Sequence, residues 1–285
     1  MIHVIIGLIS FAAIFGGILI GSNMMTQLLH LPPWLFGLII VGVFIIVAVS
    51  GLAGFNWIIR KRIHLTEAMN NDIIFFASAI SVFYSLIVGL TAVGVWRTYT
   101  EAQEIVSEEA TAIGCFYRDI SGYADPTRSQ LQQEVRSYTD FLINVAWPKQ
   151  RRGESTDEAT RMLTKLEQDL VAFEPKTAGQ QILHAQAMHQ YNEIAGLRRK
   201  RIHAIDAGLP SVMWSVVLQG AALVIGITYL LRVQHTIQFV LTGCLAMFIG
   251  LVVFVIASLD RPLSGPLAID SKPYQIVRDR LIDLK

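Results

Sequence analysis

The chain has 285 residues, of which 53% are hydrophobic and only 16% are charged, and its mean hydropathy is +0.49. Its formal net charge of +1 excludes the strongly basic surface that a nucleic-acid partner requires. This profile is typical of an integral membrane protein rather than of a water-soluble globular domain.

Five uncharged apolar segments predict membrane-spanning helices. No Lys, Arg, Asp or Glu occurs before Arg60, so the first 59 residues have room for two spans joined at "HLPPW". The first segment lacks the basic region and the cleavage site of a secretory signal and is therefore counted as a span. At ~1.5 Å per residue each segment reaches or exceeds the ~30 Å hydrocarbon thickness of a bilayer. The segments are 4–21, 35–59, 73–96, 209–231 and 236–259.

A polar block from 97 to 208 separates the third and fourth segments and has a helical pattern throughout. Its first helix continues from the third segment without a breaker, as the stretch "FYSLIVGLTAVGVWRTYTEAQEIVSEEA" (83–110) shows. Apolar residues recur there with the ~3.6-residue period of a helix, at Ala102, Ile105, Ala112, Ile113, Phe116 and Ile120. Cap and turn residues predict three further helices, with boundaries at Asp125-Pro126, Trp147-Pro148, the Ser155/Glu158 capping box, Thr177 and Ala207.

These patterns predict an all-α polytopic membrane protein with about five transmembrane helices. We expect five regions, namely an additional N-terminal span and loop (1–34), the second and third spans (35–96), a cytoplasmic helical domain (97–208), the fourth and fifth spans (209–259) and a cytoplasmic tail (260–285). Pro262, Pro266 and Pro273 exclude a regular helix from 261 to 272. The tail should therefore run extended across the cytoplasmic helices before a short helix from about Tyr274.

The basic residues near the span ends conflict over orientation. A cytoplasmic helical domain places Arg97, Arg261, Lys272 and the cluster 198–201 inside, which the positive-inside rule favours by number. The same choice leaves Arg232 and the cluster Arg60-Lys61-Arg62 outside. We expect the cytoplasmic placement.

No residue pattern indicates an enzyme, a cofactor or a metal site. His184 and His189 are five residues apart, which does not put two ligands on one face of a helix. Cys115 and Cys244 lie in the polar block and in a span, so neither a disulfide nor a metal site is supported. The spans also carry no charge, and Gln219 is their one strongly polar central group. This absence of charge counts against an ion-coupled carrier.

The third span has two distinct faces. Phe75, Ala79 and Phe83 recur every four residues and are candidates for a hydrophobic constriction. A second stripe consists of small residues that allow close helix approach, either within the chain or between chains, namely Ser78, Ser81, Ser85, Gly89 and Ala92. Below the span, Glu101, Glu104 and Glu108, with Glu109, form an acidic stripe. This stripe is either a solvated helix face or a ring of carboxylates at a pore mouth.

Three blocks resemble bacterial membrane proteins of the bestrophin-like family, which is itself distantly similar to the bestrophin ion channels. They are "NDIIFFASAISVFYSLIVGLTAVGVWRTYTEAQEIVSEEATAIGCFYRD", "GLPSVMW" and "LDRPLSGPLAID". In bestrophins a Phe-Tyr-containing second span ends in Trp and continues into long cytoplasmic helices. Their last span is followed by an Asn-Pro-Phe-Gly-type turn, where this chain has Asp260, Arg261 and Pro262 followed by "LSG".

The resemblance implies a homo-oligomer, most simply a pentamer, with Phe75, Ala79 and Phe83 on the positions that face a central neck. There are departures from the bestrophin pattern. The first span is additional, Ala79 interrupts the aromatic neck, and only Asp270 stands near the place of the acidic calcium cluster of animal bestrophins. Calcium gating is therefore not expected.

We expect a homo-oligomeric ion channel of the bacterial inner membrane, with multiple spans and with itself, membrane lipid and inorganic ions as partners. On the resemblance alone the ion is an anion such as chloride. The alternative is a non-conducting membrane scaffold or sensor that binds a protein partner through its cytoplasmic helices.

Overall fold

The computed structural model describes residues 32–58, 67–154, 156–205 and 208–282, without the side chains of 67 and 68. The predicted first span, the 60–62 basic cluster and Ser155 lie outside these residues. All regular structure in the described ranges is helical. The helices are α1 (Pro33–Ile58), α2 (Glu67–Ile120), α3 (Thr127–Phe141), α4 (Trp147–Gln150), α5 (Glu158–Val171), α6 (Ala178–His203), α7 (Ser211–Thr228), α8 (His235–Leu259) and α9 (Lys272–Val277), with π-helical turns at Leu142–Ala146 and Arg278–Ile282.

Four of the described helices are long and apolar enough to cross a membrane. They are α1, α2 from Met69 onwards, α7 and α8. Each coincides with one of the predicted segments from the second to the fifth. The helical class predicted from the sequence is thus confirmed for the described ranges.

The chain forms two compact units. The first, called the apolar unit, combines the described residues up to Arg97 with Gly208–Asp260. The second, called the polar unit, combines Thr98–Ala207 with Arg261–Lys285. Helix α2 contributes residues to both.

In the apolar unit, α1 packs along α8. The buried residues of α1 recur every three or four positions, as a helix with one packed face requires, and are Phe36, Ile40, Phe44, Ala48, Leu52 and Phe55. Gly250 permits the closest approach, since a Cβ there would lie 3.1 Å from the Cα of Val41. Phe254 fills the space next to Gly37 and has its ring 6.0 Å from that of Phe36.

Side chains from α8 and from the residue after it satisfy polar groups at both ends of α7. The Gln238 amide is buried and donates to the carbonyls of Thr228 and Leu231, each at 3.1 Å, which closes the C-terminal end of α7. At the other end, the Asp260 carboxylate accepts from the Leu209 amide at 2.6 Å and from Trp214 Nε1 at 3.2 Å. Gln219, the polar group singled out from the sequence, is exposed.

In the polar unit, the predicted apolar faces meet in one core. Phe116, Leu131, Leu142, Leu166 and Leu170 are all buried there, as their helical spacing predicts. Thr177 caps α6 by accepting from the Gln180 amide at 3.2 Å. One predicted boundary is wrong, because Trp147-Pro148 does not end the helix. The chain passes through the π-helical turn 142–146 into α4, and this wider turn accommodates a proline that lacks an N–H.

The tail was predicted to have no regular helix from 261 to 272, and none occurs from 261 to 271, but the segment is not extended. The Gly265 amide donates to the Arg261 carbonyl and the Ile269 amide to the Pro262 carbonyl, each at 2.8 Å, so the segment is a series of turns. Leu263 and Ile269 are buried in the core of the polar unit. The short helix α9 then begins at Lys272, two residues before the predicted start.

Candidate functional site

Helix α2 carries the candidate residues, and its apolar part exposes most of its surface. Phe75 and Phe83 are 72% and 68% exposed, and Ala79 is exposed between them. The face that packs within the chain is a different one, on which Val88, Thr91 and Val95 are buried. The three candidate neck residues therefore lie on a face that no described residue of the same chain covers.

The small-residue stripe does not pack against the described residues of its own chain. Ser78, Ser85 and Gly89 are exposed, whereas Ser81 and Ala92 are half-buried. The Ser78 and Ser85 hydroxyls donate to carbonyls of α2 itself, at 2.8 Å in both cases. A Cβ at Gly89 would meet no atom within 4 Å.

The close approach of α2 within the chain is made by Tyr84 instead. Its ring lies against Gly220 in the middle of α7, where a Cβ would come within 2.5 Å of the ring atom Cδ2. Sequence analysis missed this contact. The signal that was available is a glycine inside an otherwise apolar span.

The acidic stripe is only partly exposed. Glu101, Glu104 and Glu108 are exposed in the polar unit, but Glu109 is completely buried. The inclusion of Glu109 in the stripe was therefore wrong. Consecutive helical residues are turned by about 100°, which puts Glu109 on the packed face with Ala102 and Val106.

Glu109 is the centre of a buried polar network. Arg201, 1% exposed, donates from Nε to Glu109 Oε2 at 2.6 Å and from Nη2 to Oε1 at 3.1 Å. Its Nη1 donates to Gln150 Oε1 at 2.6 Å. The Tyr138 and Tyr274 hydroxyls donate to the same carboxylate at 3.4 and 3.0 Å. The network thus joins α2, α3, α4, α6 and α9.

Electrostatics keep the guanidinium and the two phenols of this network protonated. Burial alone lowers the pKa of Arg201, but the adjacent Glu109 carboxylate and the neighbouring phenols hold the pKa above its ordinary value. Burial raises the pKa of the Tyr138 and Tyr274 hydroxyls, and the Glu109 charge raises it further. The phenols therefore stay protonated and act as hydrogen-bond donors to the carboxylate.

The described residues contain no group of three or more His, Cys, Asp or Glu side chains able to hold a metal ion. His184 instead shares a hydrogen bond with the Tyr123 hydroxyl, 2.9 Å from its Nδ1. Cys115 and Cys244 are both free thiols.

Comparison with known proteins identifies the family. The profile of the Bestrophin-like domain matches residues 42–274, which is most of the chain. This chain belongs to the Bestrophin-like family. The resemblance found in its sequence is thereby confirmed. No curated protein sequence matches the chain.

Solved structures share the fold of this Bestrophin-like chain at low sequence identity. A bacterial bestrophin homologue from Klebsiella pneumoniae has a TM-score of 0.65 and 12% identity, over 86% of this chain and 97% of that one. A point variant of a homologue from the same organism has a TM-score of 0.65 and 11% identity, over 87% and 99%. A crystal structure of a membrane protein variant gives 0.64 and 11%, over 87% and 97%.

Proposed function

We propose that this Bestrophin-like protein is a homo-oligomeric ion channel of the bacterial inner membrane, in which α2 of each subunit lines the pore. The observation that carries the proposal is the exposure of α2. Only 6% of its most apolar stretch is buried within the chain, against 28–39% for the other three candidate spans. A helix with so little packing of its own needs lipid or further subunits around it.

The face with Phe75, Ala79 and Phe83 supports an apolar neck. Rings of phenylalanine side chains around an axis make a narrow gap in which water is poorly stabilised, so ions meet a barrier. The small-residue stripe lies on a neighbouring face, where Gly89 leaves space for a helix to approach. We assign this second face to contacts between subunits, five in the simplest assembly.

The charge on the exposed part of α2 favours cations over the anions expected from the resemblance. Glu101, Glu104 and Glu108 are exposed and recur at three and four residues, so each subunit would present three carboxylates on one side of the helix. Rings of carboxylates concentrate cations at a pore mouth. We therefore propose a cation-conducting pore with an acidic entrance.

The test of the neck is ion flux into liposomes. Phe83→Ala should raise flux several-fold because it widens and wets the apolar gap. The matched control is Phe248→Ala, since Phe248 of α8 is 66% exposed, close to the 68% of Phe83, but lies on another helix. Equal flux in Phe83→Ala and wild type would remove Phe83 from the neck. Absence of flux in every form would favour a scaffold or sensor.

The subunit contacts and the selectivity have separate readouts. Ser85→Leu should reduce the yield of oligomer in mass photometry, because a bulky side chain blocks close helix approach.

Replacement of Glu101, Glu104 and Glu108 by glutamine should shift the reversal potential under a salt gradient toward anions. An unchanged reversal potential would show that these carboxylates do not line the entrance.

A further inference from the structure

Arg198 is a buried cation that contacts no acidic side chain of the described residues. It lies on α6, three residues before Arg201, and is 8% exposed. Its one hydrogen bond to the described residues runs from Nη2 to the Thr160 hydroxyl at 2.9 Å, and its Nε has no partner. By contrast, the Arg201 guanidinium contacts the Glu109 carboxylate with two nitrogens and Gln150 with the third.

The Arg198 guanidinium is directed at the first turn of α5. Thr160 is the third residue of this 14-residue helix. The first N–H groups of a helix have no acceptor within it and carry a partial positive charge. The N-cap residue, Asp157, makes no side-chain cap hydrogen bond to them, and the Thr156 hydroxyl accepts from the Glu158 amide alone, at 3.4 Å. A positive helix end and a buried guanidinium therefore occupy the same place.

No carboxylate of the described residues offsets this charge by direct contact. Asp157 and Glu158 are exposed, and no described Asp or Glu has an oxygen within 4.0 Å of an Arg198 nitrogen. Burial of a guanidinium without a partner is costly, which is why buried charges in proteins are normally paired. Thr160 is exposed, so the position is open to a solute.

We propose that Arg198, Thr160 and the first-turn amides of α5 bind a phosphate group. Nε is fully enclosed, so the guanidinium offers the anion its Nη1–Nη2 edge, and such an edge suits two oxygens of a tetrahedral oxyanion. The Thr160 hydroxyl accepts from Nη2 and keeps its own proton for a third phosphate oxygen. The N–H groups at the start of α5 complete an anion site of the kind that helix N-termini form. This site is independent of ion conduction.

The experiment is a titration of the purified full-length protein in detergent with inorganic phosphate, followed by calorimetry and by the unfolding temperature. Potassium chloride at the same ionic strength is the solute control. Wild type should show saturable binding and a rise in unfolding temperature. Arg198→Met should weaken binding about tenfold or more, because charge-assisted hydrogen bonds are the strong ones. Arg199→Met, which removes an exposed neighbouring charge, should bind like wild type.

Thr160→Val tests the same site without disturbing a buried residue. It removes the hydroxyl at an exposed position, and we expect phosphate binding to weaken several-fold even if Arg198→Met does not fold. Adenosine monophosphate and glycerol 3-phosphate then separate the sources of the phosphate. Tighter binding of the first supports a nucleotide, tighter binding of the second supports a lipid headgroup, and equal binding supports free phosphate. No saturable binding of any probe, or binding unchanged in both variants, overturns the proposal.

Discussion

The two units of this protein satisfy their buried polar groups in different ways. In the described apolar unit the buried polar side chains are all neutral, namely Thr91, Gln238, Thr242 and Ser258. The polar unit buries Glu109 and Arg201 as an ion pair in which both members have several partners. A neutral amide costs less to remove from water than a charge does. The difference is that the polar unit buries a charged pair with several partners, whereas the apolar unit buries neutral groups such as Gln238, which donates to backbone carbonyls.

The largest effect is expected where one charge of the buried pair is removed. Arg201→Met should leave the Glu109 carboxylate buried without a counter-ion and destabilise the polar unit by about 3–5 kcal/mol. Thermal unfolding of the detergent-solubilised protein measures this change. The control is Arg199→Met, which alters an exposed charge on the same helix.

A double variant sharpens this first prediction. Glu109→Gln combined with Arg201→Met removes both charges and should recover much of the lost stability, since the cost comes from the orphaned charge rather than from the missing pair. If the double variant is less stable than Arg201→Met alone, the pair is not the source of the effect.

A smaller effect is expected in the apolar unit. Gln238→Leu removes the donor that closes the C-terminal end of α7 and should cost roughly 1–2 kcal/mol, the usual range for a buried carbonyl that loses its partner. Gln219→Leu is the matched control, because Gln219 lies in the neighbouring helix but is exposed. Equal unfolding temperatures for the two variants would contradict the role assigned to Gln238.

The smallest effect concerns Glu134 of α3, which pairs with Lys165 of α5 at 2.8 Å while its side chain is only 13% exposed. Burial, followed by a hydrogen bond with Asp169, raises the pKa of Glu134. Its stabilising contribution is therefore fully present below the ordinary carboxyl pKa and is lost as the pH rises through the raised value. Glu134→Gln keeps a neutral side chain at every pH. We expect the variant to unfold at a higher temperature than wild type at neutral pH and at the same temperature below pH ~4.

The control for this pH dependence is Glu193→Gln, which replaces an exposed carboxylate of α6. Its unfolding temperature should follow that of wild type across the whole pH range. A difference between Glu134→Gln and wild type that does not change with pH would show that Glu134 titrates normally in the folded protein.

Local patterns predicted the helices and much of the core. The start of α6 at the Thr177 cap and the buried positions Phe116, Leu131 and Leu170 all follow from spacing and capping residues. These features depend on residues close in sequence. The predicted end at Pro148 failed because a π-helical turn just before it changed the local geometry.

The long-range polar contacts were beyond a reading of the sequence. Glu109 and Arg201 are separated by 92 residues. Each stands beside residues of the same charge, so the sequence does not show which of them is buried. Arg198 and Arg201 were counted among the basic residues that set membrane orientation, yet both are buried. The sequence predicted two stripes on the third span. Only the folded structure shows that Tyr84 packs against Gly220 while its neighbour Phe83 is exposed.

The contact of Tyr274 has a consequence for folding during synthesis, because it joins residues that are translated far apart in time. Its hydroxyl binds Glu109, which is 165 residues earlier in the chain, and all of α7 and α8 are translated between Arg201 and Tyr274. Until α7 and α8 have been synthesised, the Glu109 carboxylate lacks the hydrogen bond from Tyr274. The core surface that Leu263 and Ile269 cover in the folded protein is then exposed to water. Closure of so long a loop is slow compared with the formation of neighbouring helices. We therefore expect the nascent polar unit to expose more apolar surface to proteases and chaperones than the complete chain does.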